Sequence, residues 1–212
     1  MVVSETSLTE GVRHMSGKRL SAAERKKQIL KCAVRVFARS NYYNTRMVDI
    51  AKEAGISEAM VYKHFSSKKE IFLALLRHMS ETIITSWEKE SVSTMAAPEK
   101  IRAGLSDYYC RMIKHPDELK VHFLAVSGID DRDIFTRLRD DHQSYVGFIT
   151  RIVQDGIDQG EIRRDVDAGA LGFAFNGLGI MMNMMQLLGF DREFDEKTLE
   201  SILDHFVESI RA

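Results

Sequence analysis

Prolines are scarce in this chain, with only Pro98 and Pro116 among 212 residues, and aromatics make up 8%. Neither figure suits a sandwich of many short strands and turns, and a 44% hydrophobic content excludes a disordered chain. Two cysteines, Cys32 and Cys110, can build neither a disulfide scaffold nor a cysteine-based zinc cluster, and they suit a reducing cytosol. The first 17 residues lack an apolar stretch behind a basic start, so they read as a loose polar tail and not as a secretory signal. Only one long run is free of charge, the 23 residues from Ala168 to Phe190, which is enough to span a bilayer. It carries five glycines together with Asn176, Asn183 and Gln186; its flanks are acidic, and no basic cluster would orient an insertion. A helix buried against two partners is therefore favoured over a membrane span, and no membrane partner is expected.

Charge of one sign is also missing overall, with 30 Lys+Arg against 31 Asp+Glu. Cutting the chain in two changes the picture. Residues 1–69 hold 14 basic and 6 acidic residues, a balance of +8, and residues 70–212 hold 16 and 25, a balance of −9. A basic head on an acidic body points to a polyanion as the partner of the head and to something else for the body.

Helical periodicity runs throughout, and no alternating strand pattern appears. The expected fold is all-α, about nine helices, with a three-helix head on a larger helical body. Ser21 is expected to cap a first helix that Asn41–Asn44 interrupts; Thr45 sits where the cap of a short second helix belongs, and Ser57 caps a third. Ser67 opens a long fourth helix running to Trp87, and Pro98 and Pro116 fall at further helix starts. The expected division is a tail at 1–17, a head at 18–69 and a body at 70–212.

Two short helices around Gly55-Ile56-Ser57, inside the basic head, make a helix-turn-helix. The tight turn holds the second helix across the first, so its N-terminal residues can enter a major groove. Thr45 and Ser57 place hydroxyls at helix starts, where they suit phosphate contact. Arg46, Glu58, Ala59, Met60 and Lys63 are the expected base readers: Arg grips guanine, Glu accepts from cytosine, and Ala or Met touches a thymine methyl. The string from Thr45-Arg46-Met47-Val48-Asp49-Ile50-Ala51 to Gly55-Ile56-Ser57, followed by Met60-Val61-Tyr62-Lys63-His64-Phe65 and Ser67-Lys68-Lys69-Glu70, resembles the N-terminal module of the TetR family of one-component bacterial regulators. The resemblance covers roughly residues 22–75. It implies that Tyr62 and His64 contact phosphates, that Lys68 is a phosphate-binding lysine, and that the protein is a cytoplasmic, nucleoid-associated homodimer on a palindromic operator in double-stranded DNA.

The body is rich in soft and aromatic side chains. Tyr108, Met112, Phe123, Phe148, Phe173 and Met181, with Asn176 as a polar contact, are expected to line a cavity for a small apolar or amphipathic effector. Any single one of them serves equally well as ordinary core. Gly172, Leu199, Leu203 and Phe206 are expected at a symmetric interface between two chains. The seven histidines show no paired ligand spacing, and no nucleophile elbow, phosphate loop or carboxylate pair is present. No metal, cofactor or enzymatic activity is expected. The leading function is a ligand-released repressor; the alternative is the same fold with a body that binds a protein partner.

Overall fold

A computed structural model describes residues 20–91, 94–190 and 192–212; the expected tail lies outside the described residues. Among the described residues there are nine helices and no strand: α1 (Ala22–Asn44), α2 (Met47–Ala54), α3 (Glu58–Tyr62), α4 (Lys68–Ser91), α5 (Ala97–Lys114), α6 (Pro116–Ser127), α7 (Arg132–Asp158), α8 (Ala168–Leu187) and α9 (Glu196–Ile210). The ends follow from capping chemistry. Ser21 and Glu24 form a reciprocal box at the start of α1. Ser67 Oγ accepts the Glu70 amide, and Asp131, Asp167 and Asp195 cap α7, α8 and α9. Gly55, at φ 65°, supplies the left-handed residue that ends α2 and turns the chain into α3.

One local expectation is corrected. The α1 helix breaks at Asn41, where φ is +59°. Thr45 is not the cap of α2; its side chain is buried, and Oγ1 donates to the Asn41 carbonyl at 2.6 Å. Arg46 takes the capping position instead, with its amide donating to Asp49 Oδ2 at 3.0 Å. A hydroxyl beside a freshly broken helix finds the orphaned carbonyl before it finds solvent.

Two apolar clusters organise the interior. The first joins Ile29, Phe37, Ile50 and Val61 of the head to Ile71, Phe72, Leu75, Leu76 and Met79 of α4, and continues into Val121 and Ala125 of α6 and Ile134 and Leu138 of α7. The second gathers Trp87, Ile101, Leu105, Phe148, Ile149, Phe175 and Leu203 in the body. The α4 helix contributes to both. The α7 and α8 helices approach closely enough that a Cβ built on Gly172 would stand 2.6 Å from Thr150 Oγ1 and 2.9 Å from the Val146 carbonyl oxygen.

The α8 helix is long and apolar enough to cross a membrane by length and composition. It is not buried all round in the single chain. Phe175, Met182 and Asn183 face inward on α5 and α7, while Phe173, Met184 and Leu188 are exposed on the opposite side.

Candidate functional site

The exposed surface of the head is built on the helix-turn-helix. Ser57 caps α3, its Oγ accepting the Met60 amide at 3.2 Å. Val61 points into the core, so Glu58, Ala59, Met60, Tyr62 and Lys63 remain on the outside. His64 is half-buried. Arg46 is exposed, with its guanidinium on Asp49 Oδ2 at 3.2 Å. Lys68, at the start of α4, reaches back under the α1–α2 turn: its Nζ donates to the Tyr43 carbonyl at 3.1 Å and sits 4.7 Å over the Tyr42 ring. Partial burial pushes this ammonium below its usual range. Arg35 and Arg39 both grip Glu53, at 2.7 and 2.6 Å, and hold α2 on α1. Of the expected DNA-facing set, only Thr45 is fully buried, and His64 and Lys68 are half-buried. Tyr43, 71% exposed beside Lys68, is a residue that sequence reasoning passed over. Its neighbour Tyr42 turns inward onto Phe37 and Phe72, and that alternation was the available signal.

The body holds a partly open cavity of about 70 Å³ between α4, α5, α6, α7 and α8. Leu76, Met79, Ile83 and Trp87 line it from α4, and Leu105, Tyr108 and Met112 from α5. His122 enters from α6, Asp141, His142 and Tyr145 from α7, and Phe175, Asn176 and Asn183 from α8. Several of the polar groups are paired, most of them across helices. His142 Nδ1 lies 3.0 Å from Asn176 Oδ1, and Asn183 Nδ2 donates to Tyr108 Oη at 2.7 Å. Arg137 Nε donates to Asp141 Oδ2 at 3.0 Å, and Arg111 is bound to Glu118. Trp87 Nε1 donates to the Gly104 carbonyl at 3.2 Å, which fixes the indole in the wall. Burial pushes the Tyr108 and Tyr145 phenols up, so both stay protonated hydroxyls.

Tyr108, Met112 and Asn176 therefore meet in the cavity as expected from sequence. Four expected lining residues do not. Phe123, one position past His122, turns about 100° round α6 and lines an open groove against the end of α1. Phe148 packs behind Trp87, with ring centroids 5.8 Å apart. Phe173 and Met181 are 69% and 37% exposed on the outer face of α8. Of the expected interface residues, Leu199 and Leu203 are buried within the chain's own core, Gly172 accommodates α7, and Phe206 is half-buried. Among the described residues no group of three His, Cys, Asp or Glu side chains could hold a metal ion.

Known proteins match both regions. Residues 29–75 fit the family model for bacterial regulatory proteins of the tetR family, and residues 130–202 that for the tetracyclin repressor-like C-terminal domain. The chain is 24% identical to the fatty acid metabolism regulator protein of Bacillus subtilis over 66% of its own length and 72% of the relative's. It is 28% identical to the HTH-type transcriptional repressor NicS of Pseudomonas putida, over 71% and 72%. Among solved structures, a candidate transcriptional regulator from Saccharomonospora viridis in complex with choline superposes with a TM-score of 0.72 at 28% identity, covering 90% of this chain and 99% of that one. FadR of Bacillus subtilis in complex with stearoyl-CoA superposes at 0.69 and 20% identity, covering 86% and 95%. With an exposed helix-turn-helix at one end, a lined cavity at the other and both family models matched, the chain belongs to the TetR family of DNA-binding transcription regulators.

Proposed function

We propose that the protein is a homodimeric repressor that binds a palindromic operator and releases it when a small apolar or amphipathic effector fills the body cavity. The observation that carries this reading is the course of α4. It begins at Lys68 beside the proposed DNA-contacting surface and then places Leu76, Met79, Ile83 and Trp87 in the cavity wall. An occupant larger than the present space must push against that helix, and displacing a rigid rod changes the setting of the head. Ser57, Tyr62, His64 and Lys68 are assigned to phosphates, and Arg46, Glu58, Ala59, Met60 and Lys63 to base edges. Relatives solved with choline and with stearoyl-CoA support a small-molecule effector over a protein partner for the body.

The outer face of α8 supports the dimer. Phe173, Ile180, Met181, Met184 and Leu188 form an exposed apolar stripe, which a second copy would cover about a two-fold axis.

Coupling between the sites is reciprocal, so an effector that expels DNA is itself bound more weakly when operator is present. The test is to measure effector affinity by calorimetry with and without a selected operator duplex. A difference of about 5–150-fold is expected, the ordinary range of allosteric coupling. Equal affinities would refute the release mechanism.

A further inference from the structure

One half-buried polar side chain in the cavity lining makes no hydrogen bond. His122 stacks edge to face on His142, with ring centroids 5.5 Å apart, and on Phe123 at 6.2 Å. Among the described residues no group hydrogen-bonds to its ring nitrogens. No fully buried side-chain nitrogen or oxygen in those residues is left without a partner, so the His122 nitrogens are not sealed, and the residue is half-buried in the cavity lining. The surrounding groups are committed: His142 to Asn176, Asn183 to Tyr108, Arg111 to Glu118, and Asp141 to Arg137. Of the polar side chains in the lining that are not exposed, His122 is the one with no hydrogen bond, so both its ring nitrogens are uncommitted toward an incoming molecule.

The character of that capacity is defined by its setting. Burial, and then the neighbouring His142, push the His122 imidazole down to about 4, so near neutral pH it carries one N–H and one lone pair. Arg111 is the only lysine or arginine in the lining and is held by a carboxylate, which leaves no counter-charge for an anionic ligand. The wall beside it is made of rings: Trp87 stands edge to face on Tyr145 and on Phe175, each at 5.6 Å between centroids. Aromatic walls suit a flat ring better than a flexible chain.

We propose that the effector is an uncharged, compact ring compound bearing one hydroxyl group, of the small-phenol type, and that His122 is the residue that recognises the hydroxyl. The inference rests on the reading of the cavity as an effector site. A hydroxyl both donates and accepts, which matches a neutral imidazole. A carboxylate only accepts and arrives without a counter-ion, and a hydrocarbon leaves His122 unpaired.

Trp87 is the only tryptophan in the chain and lies in the cavity wall, so its fluorescence reports occupancy. The full chain is titrated with 4-ethylphenol, ethylbenzene and 4-ethylbenzoate, with calorimetry as a second readout. In the unaltered protein 4-ethylphenol is expected to bind at least about tenfold more tightly than either analogue, the scale of one hydrogen bond. In His122→Phe the preference for the phenol over ethylbenzene falls to near unity while ethylbenzene still binds. In His122→Gln, which keeps a donor and an acceptor, part of the preference remains. Equal binding of phenol and hydrocarbon, a preference for the benzoate, or a phenol preference that survives His122→Phe overturns the assignment and leaves the effector site standing. Binding of none of the three by either readout overturns the assignment and the effector reading together.

Discussion

Head and body solve the packing problem in opposite ways. In the head, Phe37 is fully enclosed and set edge to face on Phe72 at 5.1 Å, and the neighbouring Ile29, Ile50 and Val61 are equally sealed. The cluster that holds them does not stop at the third helix but runs through α4 into α6 and α7. In the body, buried side chains of the same kinds surround open space, and several of their polar members are tied in pairs between helices. A dense head presents a rigid reading surface. A body with internal space can change its packing when something enters, because a void withholds contacts that an occupant restores. The contrast also appears on the surface: exposed head residues are mostly polar, whereas the outer face of α8 is a stripe of Phe, Met and Leu.

The largest expected effect tests whether the head is separable. Phe37→Ala removes a fully buried ring and should cost about 3–5 kcal/mol of stability. Because Val121, Ala125, Ile134 and Leu138 belong to the same cluster, denaturant unfolding should remain one transition, moved to lower midpoint for probes in both regions. A body that kept its own unmoved transition would show two independent units.

The next effect belongs to the body alone. The His122 imidazole is held at about 4, below the ordinary value of about 6.5. Between those values the unfolded chain binds a proton that the native chain refuses, so stability is full above about pH 6.5 and falls as pH drops toward 4. The loss should reach on the order of 3 kcal/mol from this group. Stability curves of the unaltered chain and His122→Gln should converge in their acid dependence only if that titration is absent; a flatter acid limb in the variant is expected.

The smallest effects separate positioning from reading within the head. Lys63→Ala should change preference at particular base pairs by about 1–3 kcal/mol. Arg46→Ala should relax preference too, after giving up a guanidinium that rests on Asp49 in the free protein. Lys68→Ala should weaken every sequence alike and reduce the slope of log affinity against log salt by about 0.9. Competition binding against a panel of operator variants measures all three. A changed sequence preference in Lys68→Ala alone would reverse the roles.

The head was legible because its information is local. Caps, the left-handed turn at Gly55 and the spacing of apolar residues all act within a few positions, so Ser57, Tyr62 and Lys63 could be placed on an outer surface by counting along the helix. The exception, Thr45, was decided by a carbonyl that α1 leaves free where it breaks at Asn41. In the body, periodicity named the apolar residues but not the neighbour each one faces. Phe123 and His122 are adjacent in sequence, and only the crossing of α6 between α1 and α7 sends one to a groove and the other to the cavity.

By itself the sequence determined an all-α chain with a basic helix-turn-helix head and the positions of most helix ends, and it named Tyr108, Met112 and Asn176 among seven candidates for a cavity wall. Tertiary structure alone decided that His122 and His142, twenty residues apart on different helices, share one cavity, and that Leu203 points into its own chain while Phe173 points out. The physical reason is that helical periodicity fixes angles around one axis, whereas a cavity and an interface depend on how several axes are set against one another.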